Sequence, residues 1–329
     1  MSLTYYIRRQ IDLLAISEFI HQIFSVAHSN RLAGSMLLLI MKNRLKLLVN
    51  RLLVIFGLSI VNSDAQKFWH DFEAERLKSA GERWSHPTIS SEMRNYIFKN
   101  LYRSRSQLQQ DLFVAFLLES NGAANLEFKN TTPRFFVEFG ATDGISLSNT
   151  YLLENDFFWK GILSEPARYW HKALQSNRKC NIDYRCVHST SGLSVNFKEA
   201  KLTELSTIQT FESIDLHSKS RVAGRNYEVG TVSLNDLLSG HGAPNKIDYL
   251  SVDTEGSEYL ILEPLDFNEW QISVITVEHN YSSNREKIFS LLTSKGYKRV
   301  FTEVSDFDDW YIKSGSETKI EWSGSSQAN

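Results

Sequence analysis

From Arg134 onward, short apolar runs alternate with stretches whose apolar positions recur at helical spacing. "RFFVEF" predicts a strand, Leu147 to Asn155 a helix, "KGILSEP" a second strand, Arg168 to Gln175 a helix, and "DYRCVHS" a third strand. Further on come "IDYLSVD", a helix from Ser257, "ISVITVE", a helix from Asn284 to Ser294, and two closing strands around "YKRVFTE" and "DDWYIK". Strands separated by helices of about ten residues predict a mostly parallel sheet covered on both faces. The last two strands lie too close for a crossover helix, so they are expected to pair antiparallel at one edge.

Upstream the pattern differs. "SQLQQDLFVAFLLES", Ser106 to Ser120, places Leu112, Ala115 and Phe116 at helical spacing, and residues 62 to 105 are polar with scattered aromatics, which predicts helices and loops over the main domain. The expected organisation is a helical N-terminal extension over 1–105, a catalytic domain over 106–315 and a flexible tail over 316–329.

Charge is uneven. Met1 to Val61 carries seven basic and two acidic residues, a net of +5, which leaves −7 for the rest of a chain whose formal charge is −2. Ser35 to Val61 is rich in Leu, but four cations interrupt it, and its uncharged run, Leu52 to Ser63, is shorter than the roughly 20 apolar residues of a bilayer span. It is also too late and too broken for a cleaved signal peptide. Leu45, Leu48, Leu52, Ile55 and Phe56 instead describe an amphipathic helix with Arg44 and Arg51 on its basic side. Three readings stay open: a helix packed on the main domain, a peripheral contact of residues 36–61 with an anionic membrane surface, and a true span. The chain is expected in the cytoplasm. Its near-neutral balance gives no sign of a nucleic-acid partner. Two cysteines, Cys180 and Cys186, in 329 residues match neither a disulfide framework nor a zinc pattern.

In open sheets of this class, ligands bind at the carboxyl ends of the strands. The first such end is "FFVEFGATDGISLSNTYLLE". The dinucleotide fingerprint of three glycines fails, since position 138 is Glu and position 143 is Asp. What stands there is Glu138, Gly140 and Gly144 in a Glu-x-Gly-x-x-x-Gly turn between strand and helix. An acid at the entrance repels a pyrophosphate and suits a ligand carrying ammonium and sulfonium charges. Glu165, closing the second strand, is placed to accept hydrogen bonds from both hydroxyls of a ribose. S-adenosylmethionine has the right charges, and a structural turn without a ligand is the plainer alternative.

The succession "SQLQQDLFV", "FFVEFGATDGISLSNT", "WKGILSEP", "VSLNDLL", "IDYLSVDTEGSEYLIL" and "SVITVEHN" resembles the FkbM family of S-adenosylmethionine-dependent methyltransferases over roughly residues 100 to 312. The resemblance implies a class I methyltransferase fold, a Rossmann-like α/β sheet of seven strands whose last strand is inserted antiparallel. It also implies O-methylation of a sugar, glycan or other natural-product hydroxyl. Glu138, Gly140, Asp143 and Gly144 would form the cofactor turn, Glu165 the ribose contact, and Asp253, Glu255, Gly256 and Glu258 the family's acidic signature. With Asn149, the expected cofactor set is Glu138, Gly140, Asp143, Gly144, Asn149, Glu165 and Asp253.

Methyl transfer to an alcohol needs alignment and somewhere for a proton to go. "VDTEGSE" and "VEHN" bring Asp253, Glu255, Glu278 and His279 to adjacent strand ends. The expected catalytic set is His279 as general base, with Asp253 and Glu255; a loop-binding role for His279 and helix capping by Glu255 and Glu258 are the bland readings. No metal ligand is assigned, and a Mg²⁺ requirement is not favoured because no separate motif accompanies the carboxylates. The long connection from Thr190 to Val232 is expected to recognise the acceptor through Phe211, His217, Arg221, Arg225 and Tyr227. Two other functions remain: a nucleotide-using enzyme such as a dehydrogenase, and a noncatalytic, membrane-associated binding protein on the same fold.

Overall fold

The computed structural model describes residues 63–119, 133–199, 207–208 and 225–314. The basic, Leu-rich stretch at 36–61 and the expected tail lie outside these residues, as do Phe211, His217 and Arg221. No helix among the described residues is long and apolar enough to cross a membrane.

The chain opens with α1 (Ser63–Trp84), α2 (Ser91–Asn100), a short 3₁₀ turn and α3 (Gln110–Leu118). There follow β1 (Phe135–Phe139), α4 (Tyr151–Phe157), β2 (Lys160–Ser164), α5 (His171–Asn177), β3 (Asn181–Asp183), β4 (Cys186–His188), β5 (Ser194–Glu199), β6 (Thr207–Ile208) and β7 (Arg225–Ser233). The last part is α6 (Leu234–Gly240), β8 (Lys246–Val252), α7 (Glu258–Leu262), β9 (Gln271–Glu278), α8 (Asn284–Ser294), β10 (Tyr297–Val300) and β11 (Asp308–Lys313).

Seven strands form the central sheet in the order β10-β11-β9-β8-β1-β2-β3. All pairs are parallel except those of β11, which slips between β9 and β10 and runs antiparallel to both. The sheet is therefore the mixed seven-stranded one expected from the sequence, with the closing strand inserted. Because side chains alternate along a strand, each strand feeds two separate cores. Phe136, Tyr249, Val274, Trp310 and Ile312 face one way, against Ala80 and Trp84 of α1, Met93 and Ile97 of α2, and Leu112 and Phe113 of α3. Trp310 stacks on Phe113 with centroids 4.6 Å apart and on Trp84 at 5.9 Å. Val137, Leu250, Val252, Ile275, Val277 and Tyr311 face the other way, against α6, α7 and α8.

Two elements differ from the sequence reading. The helix expected from Leu147 begins at Tyr151, because Leu147 sits at φ 61° and the groups of residues 148–150 are drawn toward Glu138. The third strand divides in two. β3 pairs with β2, whereas β4 leaves the central sheet and joins β7, β5 and β6 in a second, four-stranded sheet. The break falls at Asp183, whose carboxylate accepts from the backbone and guanidinium of Arg185. The described parts of the long connection thus form strands: Arg225 is exposed at the start of β7, and the Tyr227 hydroxyl donates to Glu199 and accepts from the Arg168 amide.

Candidate active site

The carboxyl ends of β1, β2, β8 and β9 open on a cavity that reaches solvent through its mouth. Its acidic lining is Glu138, Glu165, Asp253, Glu255 and Glu278, and among the described residues no Lys, Arg or His lines it. Val187 of β4 and Phe197 of β5, from the second sheet, form an apolar wall, and Gln107 and Gln110 reach in from the start of α3.

Strand alternation sorts these residues. Glu138 follows Phe136 on β1, Asp253 follows Ser251 and Tyr249 along β8, Glu278 follows Val274 and Thr276 on β9, and Asp308 precedes Trp310 on β11, all on the α1–α3 face. A cluster of acids is thereby set at one corner with little water to shield it. Burial, opposed by a hydrogen bond from Glu278 and aided by the charge of Glu138, raises Asp253 to about 6. Burial, then the charges of Asp253 and Glu255, raise Glu278 well above its ordinary 4.5. Asp308 rises to about 8 for the same reasons, burial first and Asp253 second, while Gln110 donates to it at 2.7 Å.

The turn after β1 is organised by buried hydrogen bonds. Glu138 accepts from the Asn149 amide at 2.6 Å and from the hydroxyls of Ser148 and Thr150 at 2.9 and 2.5 Å. Arg178, itself buried, lies 3.7 Å from Glu138, bonds Glu154 at 2.5 Å, and donates to the Gly144 carbonyl and to both hydroxyls. Gly140 has φ 73°, and a Cβ there would stand 2.1 Å from the Asp253 carbonyl oxygen, so β1 and β8 can close together only over glycine. Gly144, at φ 81°, would strike Arg178 and Leu174. Asn149 donates through Nδ2 to Ser251 at 2.9 Å, while its Oδ1 is buried with no partner among the described residues.

Glu165 closes the site on the other side. Its Oε2 accepts from the Thr142 amide at 2.8 Å and its Oε1 from the Ala167 amide at 2.7 Å, which leaves a lone pair on each oxygen. Burial outweighs these bonds and raises it to about 7.

Three sequence expectations need correction. Asp143 does not line the cavity: its carboxylate accepts from the amides of Ile145 and Ser146 and the Ser146 hydroxyl, a turn-holding role. Gly144 is likewise a packing glycine behind the turn. His279 is not paired with Asp253. One residue beyond Glu278, it turns to the opposite face, where Asp309 of β11 lies 3.8 Å from its Nε2 and is also held by Arg285 and Arg299. Its Nδ1 accepts from the Tyr281 amide at 3.0 Å, so the ring proton sits on Nε2, and burial lowers its pKa. A neutral ring with that lone pair engaged and the other nitrogen protonated offers no base to an acceptor. Glu258 caps its own loop, accepting from the amides of Thr254 and Gly256. Gln107 and Gln110 are new to the cavity lining, and the antiparallel insertion of β11 sets Asp308 beside Gln110, behind that lining.

A family model described as "Methyltransferase FkbM domain" matches residues 138–310, more than half of the chain. Among solved structures, the methyltransferase FkbM from Methylobacillus flagellatus KT aligns at 11% identity and TM-score 0.37, over 73% of this chain and 58% of that one. The plantazolicin methyltransferase BpumL in complex with SAH aligns at 15% identity and TM-score 0.25, over 72% of this chain and 69% of that one. A search of curated proteins gives no match. The family match, spanning the Glu138 turn, the second sheet and the acidic strand ends, shows that the chain belongs to the FkbM methyltransferase domain family.

Proposed function

We propose that the protein moves a methyl group from S-adenosylmethionine to a hydroxyl of a sugar, glycan or other small natural-product acceptor. The observation that carries this reading is the cavity lining: carboxylates at every strand end and no cationic side chain among the described residues, with Glu165 at the end of β2. That set fits the cofactor. A sulfonium and an ammonium are favoured among carboxylates, and the spare lone pairs of Glu165 suit the two donors of a ribose diol. A dinucleotide's pyrophosphate meets repulsion in the same place. Bound there, S-adenosylmethionine would supply an electrophilic methyl group.

The chain's own residues do the rest. The Glu138 and Arg178 network holds the turn at 148–150 and presents Asn149 to the cavity. Val187 and Phe197 exclude water from one wall. The acceptor's proton has carboxylates to go to, Asp253 or Glu255, which line the cavity.

The test is transfer of isotopic methyl from labelled S-adenosylmethionine to a panel of hydroxyl-bearing sugars, glycans and natural-product extracts. Label appearing in an ether-linked product supports the reading, and label found only on amines or thiols overturns its O-methyl part. A noncatalytic binding protein would bind the cofactor and transfer nothing.

A further inference from the structure

We infer that Asp253, Glu255 and Glu278, together with the Asn149 amide oxygen, form a site for a small divalent cation of the Mg²⁺ or Mn²⁺ class within the methyl-transfer cavity. The inference rests on the proposed O-methyl transfer for its purpose but not for its geometry. One oxygen from each of the three carboxylates lies within 4.8 Å of the others. Mg²⁺ binds oxygens at about 2.0–2.1 Å, which sets neighbouring ligands about 3 Å apart and opposite ones about 4 Å, so small side-chain rotations close the gap.

Acidic clusters are common without ions, and a separate observation points to a ligand here. Asn149 is 7% exposed and its Oδ1 has no hydrogen-bond partner among the described residues. Its Nδ2 donates to Ser251, two residues before Asp253 on the same strand face, and Asn149 lines the cavity together with the three carboxylates. An unsatisfied buried carbonyl oxygen costs free energy unless a donor or a cation meets it. Hard oxygen ligands, carboxylates plus one amide carbonyl, select Mg²⁺ or Mn²⁺ over softer metals. Among the described residues no protein cation lines the cavity to compete, and its open mouth leaves coordination positions for water or an acceptor hydroxyl. An ion there would hold that hydroxyl by its oxygen and lower its pKa, a task the buried His279 is not placed to perform.

The test uses the full chain. Titration with MnCl₂ followed by electron paramagnetic resonance should show one saturable ion per chain, displaced by Mg²⁺. Asp253→Asn and Glu278→Gln should each weaken it by at least about tenfold. Asn149→Ala should weaken it less, and Asn149→Asp, which keeps the shape and adds charge, should strengthen it. Thermal melts confirm that each variant is folded. No saturable binding up to about 1 mM, the weak end of protein divalent-cation sites, or binding indifferent to these variants, overturns the inference. S-adenosylmethionine titrated into chelator-treated protein separates the two ideas. Cofactor binding without any Mn²⁺ site removes the ion alone; a Mn²⁺ site without cofactor binding upholds the ion and removes the proposed methyl donor.

Discussion

Replacing Glu165 by Gln removes the charge at the proposed ribose contact and one backbone hydrogen bond, because its NH₂ must face the amide of Thr142 or Ala167. In the parent, each carboxylate oxygen accepts one backbone amide and keeps a lone pair for the ligand. Hydrogen bonds to a charged group contribute about 1.5–3 kcal/mol each, so turning even one ribose hydroxyl's acceptor into an amide NH₂ should weaken S-adenosylmethionine by about ten- to a hundredfold at pH 8. The pH profile gives an independent reading. Glu165 titrates near 7 because of its burial, so about a tenth of the sites are ionised at pH 6 and about nine-tenths at pH 8. Cofactor affinity of the parent should therefore fall about tenfold from pH 8 to pH 6, and the variant should lose most of that dependence. Stability moves the other way. The folded value lies above the ordinary 4.5, so the group stabilises the fold below about pH 4.5 and that contribution is lost as pH rises through 7. The rise corresponds to roughly 3 kcal/mol at most, and the melting temperature of Glu165→Gln relative to the parent should climb from pH 5 to pH 8. Isothermal titration calorimetry at three pH values and thermal melts across the same range suffice. A variant that binds S-adenosylmethionine as tightly as the parent, with the same pH profile, would refute the ribose role.

Other residues give sharper contrasts. His279→Asn should lower turnover less than about threefold and cost about 1–3 kcal/mol of stability, since the ring is buried against Asp309 and Tyr281; a hundredfold loss of kcat with intact cofactor binding would restore the base assignment. Gly140→Ala should fail to give a folded protein or melt far below the parent, because the new Cβ would stand 2.1 Å from a backbone oxygen at φ 73°, and a melting temperature near the parent's would show that β1 and β8 can separate. Removing residues 1–61, which carry net +5, should abolish salt-sensitive sedimentation with anionic vesicles; equal pelleting with and without them would discard the membrane-surface reading.

The sheet was legible because its strands are apolar runs of the right length separated by helical periodicity, and the closeness of Tyr297–Val300 to Asp308–Lys313 left only an antiparallel pairing. Glu138, Glu165 and Asp253 were legible because a carboxyl end of a strand in such a sheet is where ligands go. The roles of neighbours were less so. Glu138 at the end of β1 and Asp143 in the turn both tie the following loop, and only the path of residues 144–150 decides that Glu138 also lines the cavity and Asp143 does not. His279 follows Glu278 directly, and strand alternation alone sends one to the site and the other to the α8 face. Asp308 and Gln110 meet across 198 positions of sequence, a contact that no local pattern encodes. Arg178 was unremarkable as a residue after a helix, yet it is the counter-charge of the turn.

Whether the carboxylate-lined cavity at the ends of β1, β2, β8 and β9 takes S-adenosylmethionine is decided by calorimetric titration of the full chain at pH 8 with S-adenosylmethionine and, separately, with NAD. Saturable binding of S-adenosylmethionine, weakened by Glu165→Gln, is expected, and no binding of NAD. Saturable binding of NAD with none of S-adenosylmethionine would contradict that expectation.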